Sequence, residues 1–354
     1  MPHKILYLRS TMPHISKKKF TYKICPNLRS YLKKYGRESD IPIHYHDLKD
    51  YKDSIAHYDK KGKDTLWETC IYGPVEQERI NHSLLEIYAM LRVGGDMEVV
   101  DHLVVDRIDI CLYGNTLPFR VRVVNKLNDN FDYFYVKNAD ASRIYGLELE
   151  HLLSPNRISY LVSGNTLIEE HIAGIPGDEF IRSHMQVENF NMIRIAKEFV
   201  KFNERCFVRL LGDMHSSNFV VQITPDFEET HYRIRAIDFD QQSFESRKNI
   251  YLPQFYKQNK AFLDLVQSKI SKESLHQYQR EERSIMITRI KAAKWPLINL
   301  LDAMSKESIA PEENVVRLRE DLAKHYNSKR FLKAKTMGEI VRASLFELLR
   351  TRGR

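Results

Sequence analysis

The spacing of apolar residues changes once along this chain, and that change restricts the fold more than any other feature. Between Val104 and Ile172 they run in short β-branched and aromatic stretches: Val104–Tyr113, Phe119–Val124, Phe131–Lys137, Arg157–Val162 and Thr166–Ile172. Gly114-Asn115, Asn128-Asp129-Asn130 and Ser163-Gly164-Asn165 separate neighbouring stretches, the pattern of strands joined by turns. One helix, Ala141–Leu153, interrupts the run and ends before Ser154-Pro155. Beyond Gly177 the spacing becomes helical, as in Asn191–Phe202, where Ile193, Ala196 and Val200 share a stripe. Strand-like pieces return only at Phe207–Leu211, Phe219–Ile223 and Tyr232–Ile237, and residues 253–350 read as helices. Strands and helices segregated in this way imply an α+β architecture.

Residues 1–73 are polar and tyrosine-rich, with apolar stretches at Lys4–Leu8 and Ile41–Tyr45. Pro74 then opens a helix that carries Ile80, Leu84, Ile87 and Leu91 at helical spacing, and Gly94-Gly95 ends it. Near the other end, Thr336-Met337-Gly338-Glu339 forms a capping box for a last helix with Ile340, Leu345, Leu348 and Leu349 directed to a core.

With 354 residues the chain is long enough for two or three domains. No apolar run approaches the roughly 18 residues of a membrane span, and the N-terminal segment lacks a small-residue cleavage site. A cytoplasmic protein without a secretory signal is expected. Cys25, Cys70, Cys111 and Cys206 are widely spaced, with no CxxC pair, and reduced thiols are expected. The net charge of +8 is unevenly spread: residues 1–64 hold 15 basic and 7 acidic side chains, residues 251–354 hold 21 and 12, and the middle is acidic. An acidic middle argues against nucleic acid as the partner; solvated helix faces explain the basic ends. The basic ends also offer a surface for an anionic substrate.

Chemistry concentrates in Leu211-Gly212-Asp213-Met214-His215-Ser216-Ser217-Asn218 and in Ile237-Asp238-Phe239-Asp240. Each sits beside a predicted strand. Together they supply carboxylates and an amide, the groups needed to hold a magnesium nucleotide and to receive a proton from a hydroxyl. The two segments, LGDMHSSN and IDFD, resemble the catalytic and metal-binding loops of the protein-kinase-like superfamily, closest to its aminoglycoside and choline phosphotransferase branch. There the loop typically reads HGDxHxxN and a later strand ends in IDF or IDFD. Leu211 stands where that family usually has histidine.

The resemblance implies a bilobal protein-kinase-like fold: an N-terminal α+β extension over residues 1–95, a β-rich N-lobe over 96–173 and a helical C-lobe over 174–354. Three strands, a helix and two strands match the N-lobe order. It implies ATP and Mg2+ as cofactors and transfer of the γ-phosphate to a hydroxyl of a small molecule or sugar. Matched by position, the resemblance implies Asp213 as the catalytic base, Asn218 as a magnesium ligand and Asp238 as the main one, with Asp240 reaching a second metal or supporting the first. Lys137 would hold the α/β phosphates, oriented by Glu148 or, since helix phase is open, by Glu150. The segment Leu167–Gly174 resembles the family's hinge, so backbone groups around Glu170 and Ile172 would meet the adenine edge. No GxGxxG loop is present; Asn115 and Thr116 in the short turn between the first two strands would contact phosphate instead.

A protein or lipopolysaccharide-sugar acceptor fits the same loop, and a pseudokinase or binding module is the reading from a different class. His44, His46, Asp47, His57 and Asp59 form a weak metal pattern, without cysteines or an HExxH helix. Lys17-Lys18-Lys19 and Lys60-Lys61-Gly62-Lys63 read as solvated charge, and no GxSxG elbow supplies a hydrolase nucleophile.

Overall fold

The computed structural model describes residues 20–59, 62, 64–113, 116–186, 191–225 and 230–350. Its first half is a helix α1 (Pro26–Lys34), a hairpin β1 (Asp53–Tyr58) and β2 (Asp64–Ile71), and a long helix α2 (Pro74–Val93). Strands β3 (Leu103–Ile110), β4 (Phe119–Asn125) and β5 (Phe131–Asn138) follow, then helix α3 (Ala141–Leu153) and strands β6 (Tyr160–Ser163) and β7 (Thr166–Glu170). These strands form one antiparallel sheet in the order β1-β2-β3-β4-β5-β7-β6.

Strand alternation gives this sheet two different faces. Val121 on β4, Phe134 and Val136 on β5 and Ile168 on β7 are buried on one of them, where α2 adds Ile80, Leu84, Ile87 and Leu91. Burying each of these α2 side chains is worth roughly 1.5–3 kcal/mol, which holds the helix on the back of the sheet. Pro74 starts α2, and Gly94, at φ 70°, ends it, with the Gly95 N–H donating to Ala89 O at 3.0 Å. The opposite face carries Arg120 on β4, Tyr135 and Lys137 on β5 and Glu169 on β7; β5 and β7 pair Tyr135 with Glu169 and Lys137 with Leu167.

Segment 20–95, upstream of the β3–β7 region, is built into both halves of the molecule. Its hairpin extends the sheet, and α1 contributes Leu28, Tyr31 and Leu32 to the core of the C-terminal half. Ile41–Tyr45 is irregular rather than a strand, with Ile41, Ile43 and Tyr45 buried.

A second, three-stranded antiparallel sheet is made of β8 (Ile175–Pro176), β9 (Phe219–Pro225) and β10 (Thr230–Ala236), in the order β10-β9-β8. Around it lie the short turn α4 (Gly177–Glu179) and the helices α5 (Met192–Arg209), α6 (Lys260–Lys269), α7 (Lys272–Ala292), α8 (Lys294–Ser305), α9 (Glu312–Tyr326) and α10 (Met337–Arg350). The protein is therefore α+β with a helical C-terminal region. None of its described helices is long and apolar enough to cross a membrane, and all four cysteines are free.

Three local expectations are corrected. Phe207–Leu211 is no strand: α5 runs through Arg209, and Leu210 turns the chain at φ 57°. Phe207 and Val208 extend the buried stripe of Ile195, Ala196, Phe199 and Val200, so tertiary packing overrides their strand propensity. Ile193 is 53% exposed and lies off that stripe. On α10, Ile340, Leu345 and Leu348 are buried but Leu349 is 39% exposed. The α10 cap forms: the Glu339 N–H donates to Thr336 Oγ1 at 3.3 Å, while its carboxylate accepts from the Lys335 N–H.

Candidate functional site

A cleft of about 500 Å³ opens between the polar face of the large sheet, α3, and the two loops singled out in the sequence. Lys137, Asn218, Asp238 and Asp240 line it, and so do Thr116, Glu170 and Ile172. Asn115 lies outside the described residues.

The loop 211–218 hangs between α5 and β9. Leu211 pairs with Gln242 in an isolated antiparallel bridge, and Phe219 anchors the other end by packing on Phe202 and Phe262 at ring separations of 5.1 and 5.6 Å. Asp213 adopts φ 59°, a left-handed conformation that is uncommon outside glycine and in which asparagine and aspartate are enriched. Its N–H donates to Tyr256 Oη at 2.8 Å; its carbonyl accepts the His215 N–H at 3.0 Å and Asn218 Nδ2 at 2.8 Å. These bonds hold an unfavourable backbone in place. The Asp213 carboxylate lies 3.9 Å from His215 Nε2. Asn218 lines the cleft and Asp213, bonded to it through the backbone carbonyl, is not one of the lining residues. Burial lowers the pKa of His215, against the pull of Asp238, so its imidazole favours the neutral form.

The cleft wall carries a connected chain of ion pairs. Lys137 Nζ donates to Glu169 Oε2 at 2.8 Å. Arg143, on α3, grips both Glu169 oxygens, from Nε and from Nη2, the latter at 2.8 Å. Its Nη1 donates to Asp238 Oδ1 at 2.9 Å and to Asp240 Oδ1 at 2.8 Å. The approach of α3 to this loop depends on Gly146: a Cβ there would stand 3.0 Å from Phe239 Cβ and 3.1 Å from Gln242 Cβ.

The sequence-based partner of Lys137 is corrected here. Glu148 is buried away from the cleft, where its carboxylate accepts from Tyr31 Oη at 2.8 Å, Tyr160 Oη at 2.5 Å and Arg37 Nε at 3.2 Å. Glu150 is ion-paired with Arg209. Helix phase removes Glu148 and distance along the axis removes Glu150. Position 148, five residues and about 140° around the axis from Arg143, turns toward the N-terminal segment, whereas position 150 shares the face of Arg143 but lies about two turns further along, against α5. At the cleft the helix supplies a cation, and strand β7 supplies the carboxylate.

Electrostatics follow from this arrangement. Burial pulls the Lys137 pKa down, assisted by Arg143 and opposed by Glu169. Burial would raise Glu169, but Arg143 and then Lys137 outweigh it and hold its carboxyl down at about 2. Asp238 is pushed up by burial and by Asp240, against Arg143. Two cations thus face three carboxylates, and the surplus charge is negative.

At the rim, the Glu170 N–H donates to Ser159 O at 3.1 Å and the His171 N–H to Tyr133 O at 3.2 Å. The Ile172 N–H has no hydrogen-bond partner among the described residues. The Glu170 carboxylate is committed to Arg92, at the end of α2, at 2.8 Å. Trp67 of β2 also lines the cleft beside Tyr135, with the Arg120 guanidinium 4.3 Å from its ring centre. Sequence reasoning passed over Arg143, Glu169 and Trp67. The one available signal was alternation on β5 and β7, which puts residue 169 on the face of residue 137.

Among the described residues, no group of three His, Cys, Asp or Glu side chains is arranged to hold a metal, and His44 and His46 are exposed. The cleft offers a smaller set. Asp238 Oδ1 takes the Arg143 contact and the Asp240 N–H at 3.0 Å, and no hydrogen bond reaches Oδ2 among the described residues. Asn218 gives its Nδ2 to Asp213 O, which leaves Oδ1 as acceptor. Oxygen donors and a negative surplus fit Mg2+, which is commonly bound by one or two carboxylates together with substrate phosphates. No family model matches the chain, and comparison with curated proteins finds no match.

Proposed function

We propose that this protein is an ATP- and Mg2+-dependent phosphotransferase of protein-kinase-like, bilobal architecture, acting on a hydroxyl of a small molecule or sugar. The observation that carries the reading is that Lys137, Asn218, Asp238 and Asp240, from segments far apart in sequence, line one cleft. The strand order β3-β4-β5-β7-β6, with α3 between β5 and β6, supports the architecture. When bound, magnesium nucleotide supplies the phosphoryl group and neutralises charge developing on it. Lys137 would hold the phosphates, with Glu169 rather than Glu148 fixing its direction. Asn218 and Asp238 would hold the metal, Asp240 supporting them. Thr116, with Asn115 beside it in sequence, would meet phosphate, and the Ile172 amide would face the base edge. Asp213 would take the acceptor's proton, with the Tyr256 and Asn218 bonds fixing its backbone.

The test is ATP consumption against a panel of hydroxylated acceptors, with protein and lipopolysaccharide-sugar acceptors in the panel and Asp213→Ala as control. Turnover that survives in Asp213→Ala rejects the assignment. A second reading, a nucleotide-binding module without turnover, is favoured by one observation: Arg143 already occupies one carboxylate oxygen of Asp238 and one of Asp240. Magnesium-nucleotide binding with no consumption on any acceptor would select it.

A further inference from the structure

Arg143 is the side chain on which the whole polar cluster converges. It is 4% exposed. A guanidinium has five N–H donors, and here every one has an acceptor: Nε and Nη2 on Glu169, Nη1 on Asp238 and on Asp240, and Nη2 again on Ile237 O at 3.4 Å. With its donors committed, Arg143 has no N–H left for a phosphate oxygen. It reaches the ligand only through the carboxylates it holds.

Those carboxylates belong to two different parts of the cleft. Glu169 sits on the large sheet and directs Lys137; Asp238 and Asp240 sit on the loop after β10. One rigid planar group therefore sets the distance between the phosphate-holding cation and the metal-holding loop. It also leaves a defined oxygen: because Nη1 occupies Oδ1 of Asp238, Oδ2 is the atom presented without a donor among the described residues. A lysine cannot reproduce this, since an ammonium lacks the planar fork.

We propose that Arg143 is a positioning residue for the metal–nucleotide site, aligning Asp238 and Asp240 for the metal and Glu169 for Lys137 in one piece. The proposal rests on the phosphotransferase reading above. A purely structural ion pair predicts something different: loss of Arg143 would lower the melting temperature and leave metal affinity unchanged in the folded fraction.

The experiment uses the full chain, Mn2+ as the metal and a non-hydrolysable ATP analogue, so no turnover is needed. Free Mn2+ is read by electron paramagnetic resonance for the wild type, Arg143→Lys and Arg143→Gln, with melting curves to establish the folded fraction. The Mn2+ Kd in the ternary complex should rise roughly 10–100-fold in Arg143→Lys, the range for losing a group that orients metal ligands. Analogue affinity without metal should change much less. Unchanged Mn2+ affinity in a folded Arg143→Lys variant overturns the proposal alone; a wild type that binds no metal–nucleotide overturns it together with the functional reading. Should the variants fail to fold, the wild-type Arg143 Nε–H resonance decides. It should shift and stay protected from exchange when Mg2+ and the analogue are added, and an unperturbed resonance rejects the proposal.

Discussion

Lys137 on β5 is ion-paired with Glu169 on β7, at 2.8 Å, and not with a carboxylate of α3. Glu169→Gln should therefore weaken nucleotide binding roughly ten- to hundredfold, the equivalent of a charge-assisted hydrogen bond of about 1.5–3 kcal/mol. Glu148→Gln should lower the melting temperature instead, because that carboxylate holds Tyr31, Tyr160 and Arg37. Titration calorimetry and thermal melts on both variants check the pair; the reverse pattern would restore the helix glutamate as the partner.

The same carboxyl predicts a pH effect. Glu169 sits at about 2 in the folded chain, below its ordinary 4.5. Its ionised form therefore stabilises the fold fully above the ordinary value, and that contribution is lost as pH falls toward 2. The melting-temperature difference between wild type and Glu169→Gln should shrink steadily as pH is lowered from 5 toward 2. A difference independent of pH would contradict the assignment.

Asp213→Ala should reduce turnover by about 10²–10⁴, the usual contribution of a general base, while magnesium-nucleotide binding persists. Binding is read by thermal stabilisation and turnover by ATP consumption. Loss of both together would mean that the residue holds the loop rather than receives a proton.

Asp238→Asn separates function from stability. Burial and Asp240 disfavour the ionised form of Asp238, so its charge at neutral pH destabilises the ligand-free fold. The amide variant should melt at a higher temperature than the wild type without ligand and lose stabilisation by magnesium nucleotide. A lower ligand-free melting temperature would show that the Arg143 contact outweighs the carboxylate repulsion.

Gly146→Val tests the seat of the Asp238 loop. The side chain would press into Phe239 and Gln242, and overpacking typically costs 1–3 kcal/mol. The variant should lose stability in urea unfolding and lose affinity for metal–nucleotide. Wild-type behaviour in both would mean that α3 does not fix the loop.

Local signals located most elements of the fold and both loops of the candidate site. The Ala141–Leu153 helix and the Phe119, Phe131 and Thr166 strand starts are as the periodicity predicts, because a half-buried strand or helix writes its buried face into its own spacing. Phe207–Leu211 misleads because its aromatic and branched residues serve a helix face that only the packed C-terminal helices create. The α3 glutamates mislead for a related reason. Spacing says that a carboxylate lies on the helix; rotation about the axis for Glu148, and position along it for Glu150, decide what each meets.

By itself the sequence determined the α+β class, the placement of Asn218 before one strand and Asp238 and Asp240 after another, and Lys137 near the end of a strand. These are properties of short stretches, readable from period, turn residues and motif. Tertiary structure alone decided that β1 and β2 extend the sheet and α2 covers one face of it, and that Glu169 rather than Glu148 partners Lys137. It alone made Arg143 the link between the sheet and the Asp238 loop. Such pairings depend on helix phase and strand register between segments distant in the chain, and the burial that makes them strong exists only once those segments have packed.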